Sequence, residues 1–310
     1  MFFDFLINNS MNILPTFDID TIKQIIQNDF PGIAIKNINL IANGWDNMVA
    51  EINDEYIFRF PKYTDSTFYQ EIKILDLLQE KTSVLTPKIE FLGRSYTYMG
   101  YKKIPGNVLT SEVYETLSPA KREKLIFDLA NFLKEFHASI SVAQAKEMGL
   151  EVEDYESYLD LIKKRLNNRF DDVQISSFIK STCVEFASMA NKQQNIVVLY
   201  NDLHTENIAF DNINKRVVGI FDFGDVTIGD IHFDFHQLYK FDPNLMSAVA
   251  LKYRELTGVN LELRRMVVSA RINELCDLAE FIDKPESRVY KNAMARIGKW
   301  IGDIDIFKNR

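Results

Sequence analysis

Acidic and amide side chains are concentrated in one stretch of this 310-residue chain. The segment "VLYNDLHTENIAF" carries Asp202 and Asn207, and the segment "VVGIFDFGD" carries Asp222. Carboxylate and amide oxygens suit Mg²⁺, which takes few protein ligands and completes its coordination shell with water and phosphate oxygens. A carboxylate beside such an ion is placed to accept a proton from a hydroxyl. These residue types therefore predict metal-assisted chemistry on a phosphate.

The elements around these residues predict how they are brought together. Ile208 to Asp211 and Val217 to Phe221 read as strands, and the turn-rich "NINKR" between them predicts a hairpin. Antiparallel pairing places Asn207 near Asp222 at one end of the ribbon, with Asp202 on the incoming loop. We therefore predict Asn207 and Asp222 as metal ligands and Asp202 as the catalytic base. The alternative is that these side chains only cap loops and form turns.

If phosphoryl transfer is the chemistry, a cation on the nucleotide phosphates and a partner for that cation are required on a strand and a following helix. The strand "YIFRFPK" contains Arg59 with Lys62 just beyond it, and the helix "FYQEIKILDLL" carries Glu71. We predict that Glu71 pairs with Arg59 and holds the guanidinium against phosphate oxygens. A surface helix acid is the alternative for Glu71. Further upstream, "ANGWDNMV" offers Gly44 as a weak phosphate-loop signal, and a simple turn explains it equally well.

Composition excludes several classes of function. The net charge of −8 and the pI near 5.2 argue against a nucleic-acid binder and fit a cationic ligand better. No apolar run approaches the ~18 residues of a membrane span, and "MFFDFLINNS" lacks the basic start of a signal peptide. We therefore expect a cytoplasmic protein without a membrane or obligate protein partner. The sequence leaves open whether Met1 or Met11 is the natural start.

The distribution of elements predicts an α+β protein with two parts. Short strands and two helices fill the chain up to Pro105, and helices dominate after it, with Ile196 to Phe221 as the only β-like interruption. The Pro105 and Gly106 pair breaks the pattern. We predict a nucleotide-binding lobe at residues 1–104 and a helical lobe at 105–310 that carries the catalytic loop and the acceptor site.

Asp202 and Asn207 in the pattern D-x-x-x-x-N, followed by D-F-G at Asp222, resemble the catalytic loop and metal motif of protein kinases. Further motifs occur in order between about residues 40 and 240: "NGWDN", "FRFPK", "QEIKILDLL", "GYKKIPG", "LANFLKEFHA", "NDLHTENI" and "IFDFGDVTIGDIHFDF". Together they resemble the aminoglycoside phosphotransferase and choline kinase superfamily, and its 2″-phosphotransferase branch in particular. The resemblance implies a bilobal protein-kinase-like fold, Mg²⁺ as cofactor, and ATP or GTP as phosphate donor.

The resemblance also implies roles for individual residues. Asp202 would be the catalytic base, Asn207 and Asp222 the metal ligands, and Glu71 the helix acid of the ion pair. The hinge that would meet the nucleobase consists of Tyr101, Lys102, Lys103, Ile104 and Pro105. A bulky Tyr101 would crowd an adenine, which leaves GTP open as donor.

The chain departs from the family pattern at two positions. Arg59 stands where members often carry Lys, and its planar fork differs from a point charge. Tyr200 stands where the catalytic loop usually begins with His. We expect nucleotide binding to be retained with Arg59. Tyr200 affects the packing that supports Asp202 more than the chemistry of Asp202.

The acceptor is predicted to be a small molecule, because the short interval between Asp222 and Asp234 leaves no room for a peptide-binding activation segment. The later helix "RINELCDLAEFIDKPE" spaces acids by three: Glu274, Asp277, Glu280 and Asp283. This row predicts binding of a cationic sugar, with a solvated helix face as the alternative.

Histidines near the motifs have competing interpretations. His204 either lines the acceptor site or has a structural role. His232 and His236 lie one helical turn apart, as in a pair of metal ligands, but lack a third ligand at a known spacing. Asp230 and Asp234 are expected to cap the following helix and brace the loop.

The sequence as a whole predicts a Mg²⁺-dependent small-molecule O-phosphotransferase whose acceptor is an aminoglycoside, an activity that would confer antibiotic resistance. Another hydroxylated acceptor, such as choline, homoserine or a macrolide, is the alternative enzyme. A nucleotide-binding pseudokinase is the non-enzymatic alternative, motivated by Arg59 and Tyr200.

Overall fold

The computed structural model describes residue 14 and residues 16–41, 46–63, 66–190, 192 and 195–303. The turn at Gly44 and the two candidate starts, Met1 and Met11, lie outside these residues. In the described chain, strands dominate before Pro105 and helices after it, as predicted. The strands are β1 (Ile38–Ile41), β2 (Asn47–Ile52), β3 (Tyr56–Pro61), β4 (Ile89–Leu92), β5 (Met99–Lys102), β6 (Asn107–Val108), β7 (Ile196–Leu199), β8 (Ile208–Asp211), β9 (Arg216–Ile220) and β10 (Thr227–Asp230). The α-helices are α1 (Ile19–Asp29), α2 (Thr67–Leu78), α3 (Ser111–Glu115), α4 (Pro119–Ser139), α5 (Val142–Glu147), α6 (Tyr155–Leu166), α7 (Val173–Ala190), α8 (His236–Phe241), α9 (Pro243–Thr257), α10 (Leu263–Phe281) and α11 (Arg288–Asp303).

Two compact units make up the described chain. The sheet unit extends to Ile140 and also includes Thr205–Asp225. The helical unit consists of Ser141–His204 and the residues from Val226 onward. This division differs in position from the predicted lobes, 1–104 and 105–310, because α4 and the β8–β9 hairpin pack with the sheet unit. The functional division into those lobes stays a prediction.

The sheet unit is built on an antiparallel sheet with the order β1-β2-β3-β5-β4. Successive side chains of a strand point to opposite faces. Phe58 and Phe60 of β3 are buried in a cluster with Ile22 and Ile26 of α1. Arg59, between the two phenylalanines, therefore points to the other face. Alternation along β3 thus separates the apolar core from the face that carries the chemistry.

The predicted hairpin is present in the sheet unit. β8 pairs with β9 so that Ile208 lies opposite Ile220, and β6 adds a third strand beside β8. Gly219 lies under the segment that follows β5: a Cβ at this position would come within 2.6 Å of both Ile104 Cγ2 and the Leu85 carbonyl oxygen. The absence of a side chain at residue 219 therefore allows this close packing.

The helical unit is organised around α10, whose apolar residues are buried along most of its length. Beside it, β7 and β10 form a two-stranded antiparallel sheet in which Thr227 lies opposite Leu199. Two strands lie outside the predicted β-like interruption: β6, and β10 with the sequence "TIGD". Ile231–Phe235 follows β10 as a 3₁₀ turn that leads into α8. Among the described helices, none is long and apolar enough to cross a membrane.

Candidate active site

Arg59 is the centre of a charged cluster in the sheet unit. Its side chain is buried on β3, and Nη1 donates to Oε1 of Glu71 on α2. Its Nη2 donates to Oδ1 of Asp222 at 2.9 Å. The expected pairing of Arg59 with Glu71 is therefore present, and Glu71 is buried rather than a surface helix acid. Both carboxylates are held by separate nitrogens of one guanidinium, a geometry that the single ammonium of Lys does not offer.

Burial and neighbouring charges shift the pKa values of this cluster in opposite directions. Burial lowers the pKa of Arg59, but the carboxylates of Asp222 and Glu71 outweigh it and the guanidinium stays charged. Burial raises the pKa of Glu71 above its ordinary value, and Arg59 opposes this rise. Burial also raises the pKa of the Tyr101 phenol to about 12, although the positive charge of Arg59 acts to lower it. Tyr101 is thus a neutral member of the cluster at physiological pH.

Asp222 and Asn207 lie at the same end of the β8–β9 ribbon. The Phe221 amide donates to the Asn207 carbonyl oxygen at 3.1 Å, one step beyond the Ile208 and Ile220 pair. Asp222 follows with a backbone φ of 68°, in the left-handed region that residues other than Gly rarely adopt. The turn that it makes directs its carboxylate to Arg59.

Glu71 has a second contact that sequence reasoning missed. The backbone amide of Phe223, the residue after Asp222, donates to Glu71 Oε1 at 3.1 Å. The Phe223 ring is buried and lies near Phe132 and Phe136 of α4, with centroids 6.4 and 6.1 Å away. Glu71 therefore fixes both Arg59 and the turn at Asp222. No residue type marks a backbone donor, so no sequence signal could have shown this contact.

The oxygen donors of Asn207 and Asp222 fit Mg²⁺ in chemistry. An amide and a carboxylate are hard ligands, and the Asp222 side chain is 47% exposed, which leaves its carboxylate accessible to a hydrated ion. In the part of the chain that the structure describes, no group of three or more His, Cys, Asp or Glu side chains could hold a metal. A site with two protein ligands is consistent with an ion that retains water and phosphate oxygens.

The predicted hinge residues differ in their surroundings. Tyr101 is buried on the same face of the sheet as Arg59, and Lys102 is exposed. The Lys103 ammonium pairs with Glu51 of β2, and its amide donates to the Glu55 carbonyl at 2.8 Å. Ile104 covers Gly219. Contact of this hinge with a nucleobase stays a prediction.

Asp202 belongs to the helical unit, on the loop after β7. Its Oδ1 accepts from Gln237 Nε2 at 3.3 Å, and its Oδ2 lies 3.3 Å from His204 Nε2. The His204 amide donates to the Asp202 carbonyl at 2.7 Å. His204 therefore lies beside the predicted base, which leaves both of its proposed roles open.

Asp234 braces the loop, as expected. Its Oδ1 accepts from the Asn201 amide at 2.6 Å and its Oδ2 from the Tyr200 amide at 3.1 Å. The Tyr200 side chain is fully buried. The residue in place of the usual His is thus a packed core aromatic, and support of the loop comes from the buried Asp234 carboxylate.

His232 and His236 have structural partners. His232 Nδ1 lies 2.5 Å from Asp230 Oδ1, and its Nε2 accepts from the Glu262 amide at 3.0 Å. His236 Nδ1 lies 2.5 Å from the Phe233 carbonyl oxygen. Burial lowers the pKa of His236 to about 4, so its imidazole is neutral at physiological pH. Both ring nitrogens of His232 and Nδ1 of His236 thus have partners within the protein.

The acidic row that begins on α10 is partly buried, and three of its acids pair with cations of the protein. Glu274 is buried, with Oε2 2.9 Å from Lys240 Nζ and Oε1 2.7 Å from Arg296 Nη1. Asp277 Oδ2 lies 3.0 Å from the same Lys240. Further along, Asp283 pairs with two arginines of the segment around the end of α6. The cations that we expected from an acceptor are supplied here by the protein.

Comparison with known proteins shows which family this chain belongs to. The model of the phosphotransferase enzyme family (APH) matches residues 37–265, and the chain belongs to that family. The predicted superfamily and enzyme class, a nucleotide-dependent phosphotransferase that acts on an alcohol group, are thereby confirmed.

Solved structures of related enzymes have the same fold. The GDP complex of aminoglycoside 2'-phosphotransferase-IIIa has a TM-score of 0.80 at 19% identity, over 91% of this chain and 98% of that one. The streptomycin-ATP-APH(2")-IIa ternary complex has a TM-score of 0.67 at 19% identity, over 92% and 97%. The macrolide 2'-phosphotransferase MphH from Brachybacterium faecium has a TM-score of 0.66 at 15% identity, over 90% and 97%. These likenesses confirm the predicted α+β, protein-kinase-like fold.

Proposed function

We propose that this protein is a Mg²⁺-dependent O-phosphotransferase that moves the γ-phosphate of ATP or GTP to a hydroxyl of an aminoglycoside. Membership of the phosphotransferase family supports the reaction. The solved structures of similar fold include complexes with GDP or ATP and with kanamycin, streptomycin or gentamicin, which supports the donor and acceptor classes. We place the activity in the cytoplasm, where both nucleotides are available.

The observation that carries this proposal is the bridging of Glu71 and Asp222 by Arg59. A buried guanidinium between two carboxylates is a fixed positive charge with a defined orientation. In the proposed reaction, Arg59 steadies the nucleotide phosphates and Glu71 fixes Arg59. Asn207 and Asp222 would hold Mg²⁺, which would supply positive charge against the transferred phosphoryl group.

Asp202 acts on the acceptor in this mechanism. Its carboxylate accepts a hydrogen bond from the acceptor hydroxyl, orients the oxygen toward the γ-phosphorus, and takes the proton as the new O–P bond forms. Gln237 and His204 beside its two oxygens restrict the directions that the carboxylate can take. The bond from the γ-phosphorus to the bridging oxygen breaks, and the nucleoside diphosphate leaves.

A macrolide is the second candidate acceptor. Two solved macrolide 2'-phosphotransferases have similar folds, at 14% and 15% identity. Lys240 pairs with both Glu274 and Asp277, so these two acids have less negative charge to offer a polycationic sugar, which favours the macrolide.

The donor is also open to test. The buried Tyr101 near the predicted nucleobase hinge supports a test of GTP beside ATP.

Steady-state phosphotransfer with Mg²⁺ tests the proposal. ATP and GTP are each offered with kanamycin, gentamicin, erythromycin, choline and homoserine. We expect turnover on kanamycin or gentamicin that Asp202→Asn loses and that Asp160→Asn, a change at an exposed helix acid, retains. Turnover on erythromycin alone would replace the acceptor by the macrolide. Tight nucleotide binding by calorimetry without turnover on any acceptor would contradict the proposal and favour a pseudokinase.

A further inference from the structure

Glu153 is a buried carboxyl in the helical unit that none of the recognised motifs contains. It precedes α6 and is 5% exposed. Its Oε1 accepts from Thr227 Oγ1 at 2.6 Å and from Asn201 Nδ2 at 3.2 Å. Its Oε2 accepts from the Tyr158 hydroxyl. These three donors are neutral, so the carboxylate is satisfied by hydrogen bonds of defined direction and without an ion pair among them.

Asn201 is the residue immediately before Asp202, and its conformation is unusual. Its φ is 66°, in the left-handed region that Asn tolerates better than most side chains. Its side-chain amide donates to Thr227 Oγ1 at 2.7 Å as well as to Glu153. Its backbone amide donates to Asp234 Oδ1 at 2.6 Å. Two buried carboxylates therefore fix this residue, one through the backbone and one through the side chain.

The backbone around Glu153 gives this network a rigid base. The Glu153 amide donates to the Ile228 carbonyl at 2.8 Å, and the Ile228 amide donates to the Glu151 carbonyl at 2.8 Å. The segment thus pairs with β10, which pairs with β7, the strand that leads directly into the loop of Asp202. Burial raises the pKa of Glu153, and the hydrogen bonds from Thr227, Tyr158 and Asn201 oppose that rise.

We propose that Glu153 is a positioning residue for the catalytic base, acting through Thr227 and Asn201 to fix the peptide from which the Asp202 side chain projects. The inference rests on the role of Asp202 in the proposed function. A base must lie within hydrogen-bonding distance of the hydroxyl proton, and a displacement of about 1 Å in such a group lowers the rate by about 100-fold. Release of the Asn201 side chain permits a displacement of this kind.

Four variants test the network from different sides. Thr227→Val removes one hydroxyl and keeps the side-chain shape. Asn201→Gly keeps access to the left-handed backbone and removes the amide. Glu153→Leu removes the acceptors, and Glu153→Gln is the conservative counterpart, because its Oε1 accepts from Thr227 and Asn201 while its amide donates to the Tyr158 oxygen.

The measurements are kcat and KM with kanamycin, nucleotide hydrolysis with water as acceptor, nucleotide Kd and Tm. We expect Asn201→Gly and Glu153→Leu to lower kcat by about 10- to 100-fold with the nucleotide Kd unchanged, and Glu153→Gln to recover most of the loss. If Glu153→Leu fails to fold, Asn201→Gly and Thr227→Val carry the test. A lower Tm with wild-type kcat in Asn201→Gly and Thr227→Val would overturn the inference, since a merely structural network moves only stability.

Two further arms separate this inference from the proposed function. If Asp202→Asn abolishes turnover but Asn201→Gly does not change kcat, the base is confirmed and the positioning role is wrong. If the wild-type protein shows neither transfer nor hydrolysis, amide hydrogen exchange of residues 200–204 tests whether the network fixes this peptide. Faster exchange of the Asn201 amide in Thr227→Val supports the fixing of this peptide, and unchanged exchange overturns it.

Discussion

The cluster around Arg59 and the network around Asn201 hold their carboxylates in different ways. In the sheet unit, Glu71 and Asp222 meet the charged guanidinium of Arg59. In the helical unit, Asp234 and Glu153 accept from backbone amides, a hydroxyl and a side-chain amide. Charges that neutralise each other can be redistributed when a phosphate or a cation arrives. Neutral donors fix a backbone conformation whether or not a ligand is present.

This difference gives the two regions different sensitivities. Removal of one partner from a buried ion pair leaves an uncompensated charge and costs about 3 to 5 kcal/mol. Loss of one neutral donor to a buried carboxylate costs about 1.5 to 3 kcal/mol, but it can move a catalytic group without unfolding the protein. We therefore expect variants of the Arg59 cluster to change mainly the free energy of unfolding. Variants in the loop of Asp202 should change mainly kcat.

The largest effect is expected for Asp202→Asn. An amide cannot accept the hydroxyl proton as a carboxylate does, so kcat should fall by about 10³-fold while the nucleotide Kd stays unchanged. Steady-state kinetics and calorimetry on the same preparation measure both quantities, with Asp160→Asn as the matched control. Retention of more than about a tenth of the wild-type kcat would remove Asp202 from the base role.

Loss of the Glu71 carboxylate should mainly affect stability. Glu71→Ala leaves the buried Arg59 with one carboxylate and removes the acceptor of the Phe223 amide, so the free energy of unfolding should fall by about 3 kcal/mol. Denaturant unfolding measures it. Glu255→Gln removes one partner of the surface pair between Lys252 and Glu255 and should cost less than about 1 kcal/mol. Equal losses in the two variants would show that burial adds nothing to the Arg59 pair.

Acidic pH should weaken the helical unit through His236. Burial lowers its pKa from 6.5 to about 4, with Lys240 acting in the same direction and Asp202 and Asp234 opposing. Because the folded pKa lies below the unfolded one, this contribution to stability is complete above pH 6.5 and is lost as the pH falls toward 4.

Between pH 7.5 and pH 5 we expect a loss of about 2 kcal/mol in the free energy of unfolding from His236 alone. Urea unfolding at the two pH values measures this difference. His236→Gln retains a donor for the Phe233 carbonyl but cannot be protonated, so its loss over the same interval should be smaller. An identical loss in the variant would assign the acid sensitivity to other groups.

The smallest effect is expected for Tyr101→Phe. The change removes the buried phenol hydroxyl on which the charge of Arg59 acts and keeps the ring, so the free energy of unfolding should fall by about 1 kcal/mol. If the ring also restricts the nucleobase, the ratio of the kcat/KM values for ATP and GTP should stay unchanged, since the ring is retained. A shift of that ratio would assign donor selection to the hydroxyl.

Local patterns in the sequence were sufficient for part of this description. The spacing of apolar residues predicted the β8–β9 hairpin. The pairing of Arg59 with Glu71 was predicted from the cation and partner that phosphoryl transfer requires on a strand and a following helix. The first prediction depends on short-range periodicity and the second on the chemistry of the reaction. The roles of Asp202, Asn207 and Asp222 in catalysis and metal binding stay predictions that the experiments above address.

Long-range pairing explains what the sequence did not show. β10 is a four-residue strand with Gly and Asp in it, and its structure depends on β7, about 30 residues earlier. The partners of Glu274 are Lys240 and Arg296, which come from other helices, so the periodicity of α10 alone could not reveal them. For Tyr101, strand alternation contained a usable signal: it lies opposite Ile57, on the same face as Arg59.

The close packing at Gly219 has a consequence for how this sequence can diverge. Any Cβ there would meet Ile104 and the Leu85 backbone at 2.6 Å, and backbone atoms cannot move aside as the end of a side chain can. Drift at residues 104 and 219 should therefore be linked across evolution. Descendants that acquire a side chain at 219 are expected to carry a smaller residue at 104 together with a rebuilt segment around Leu85, so the two positions should covary in any alignment of close relatives.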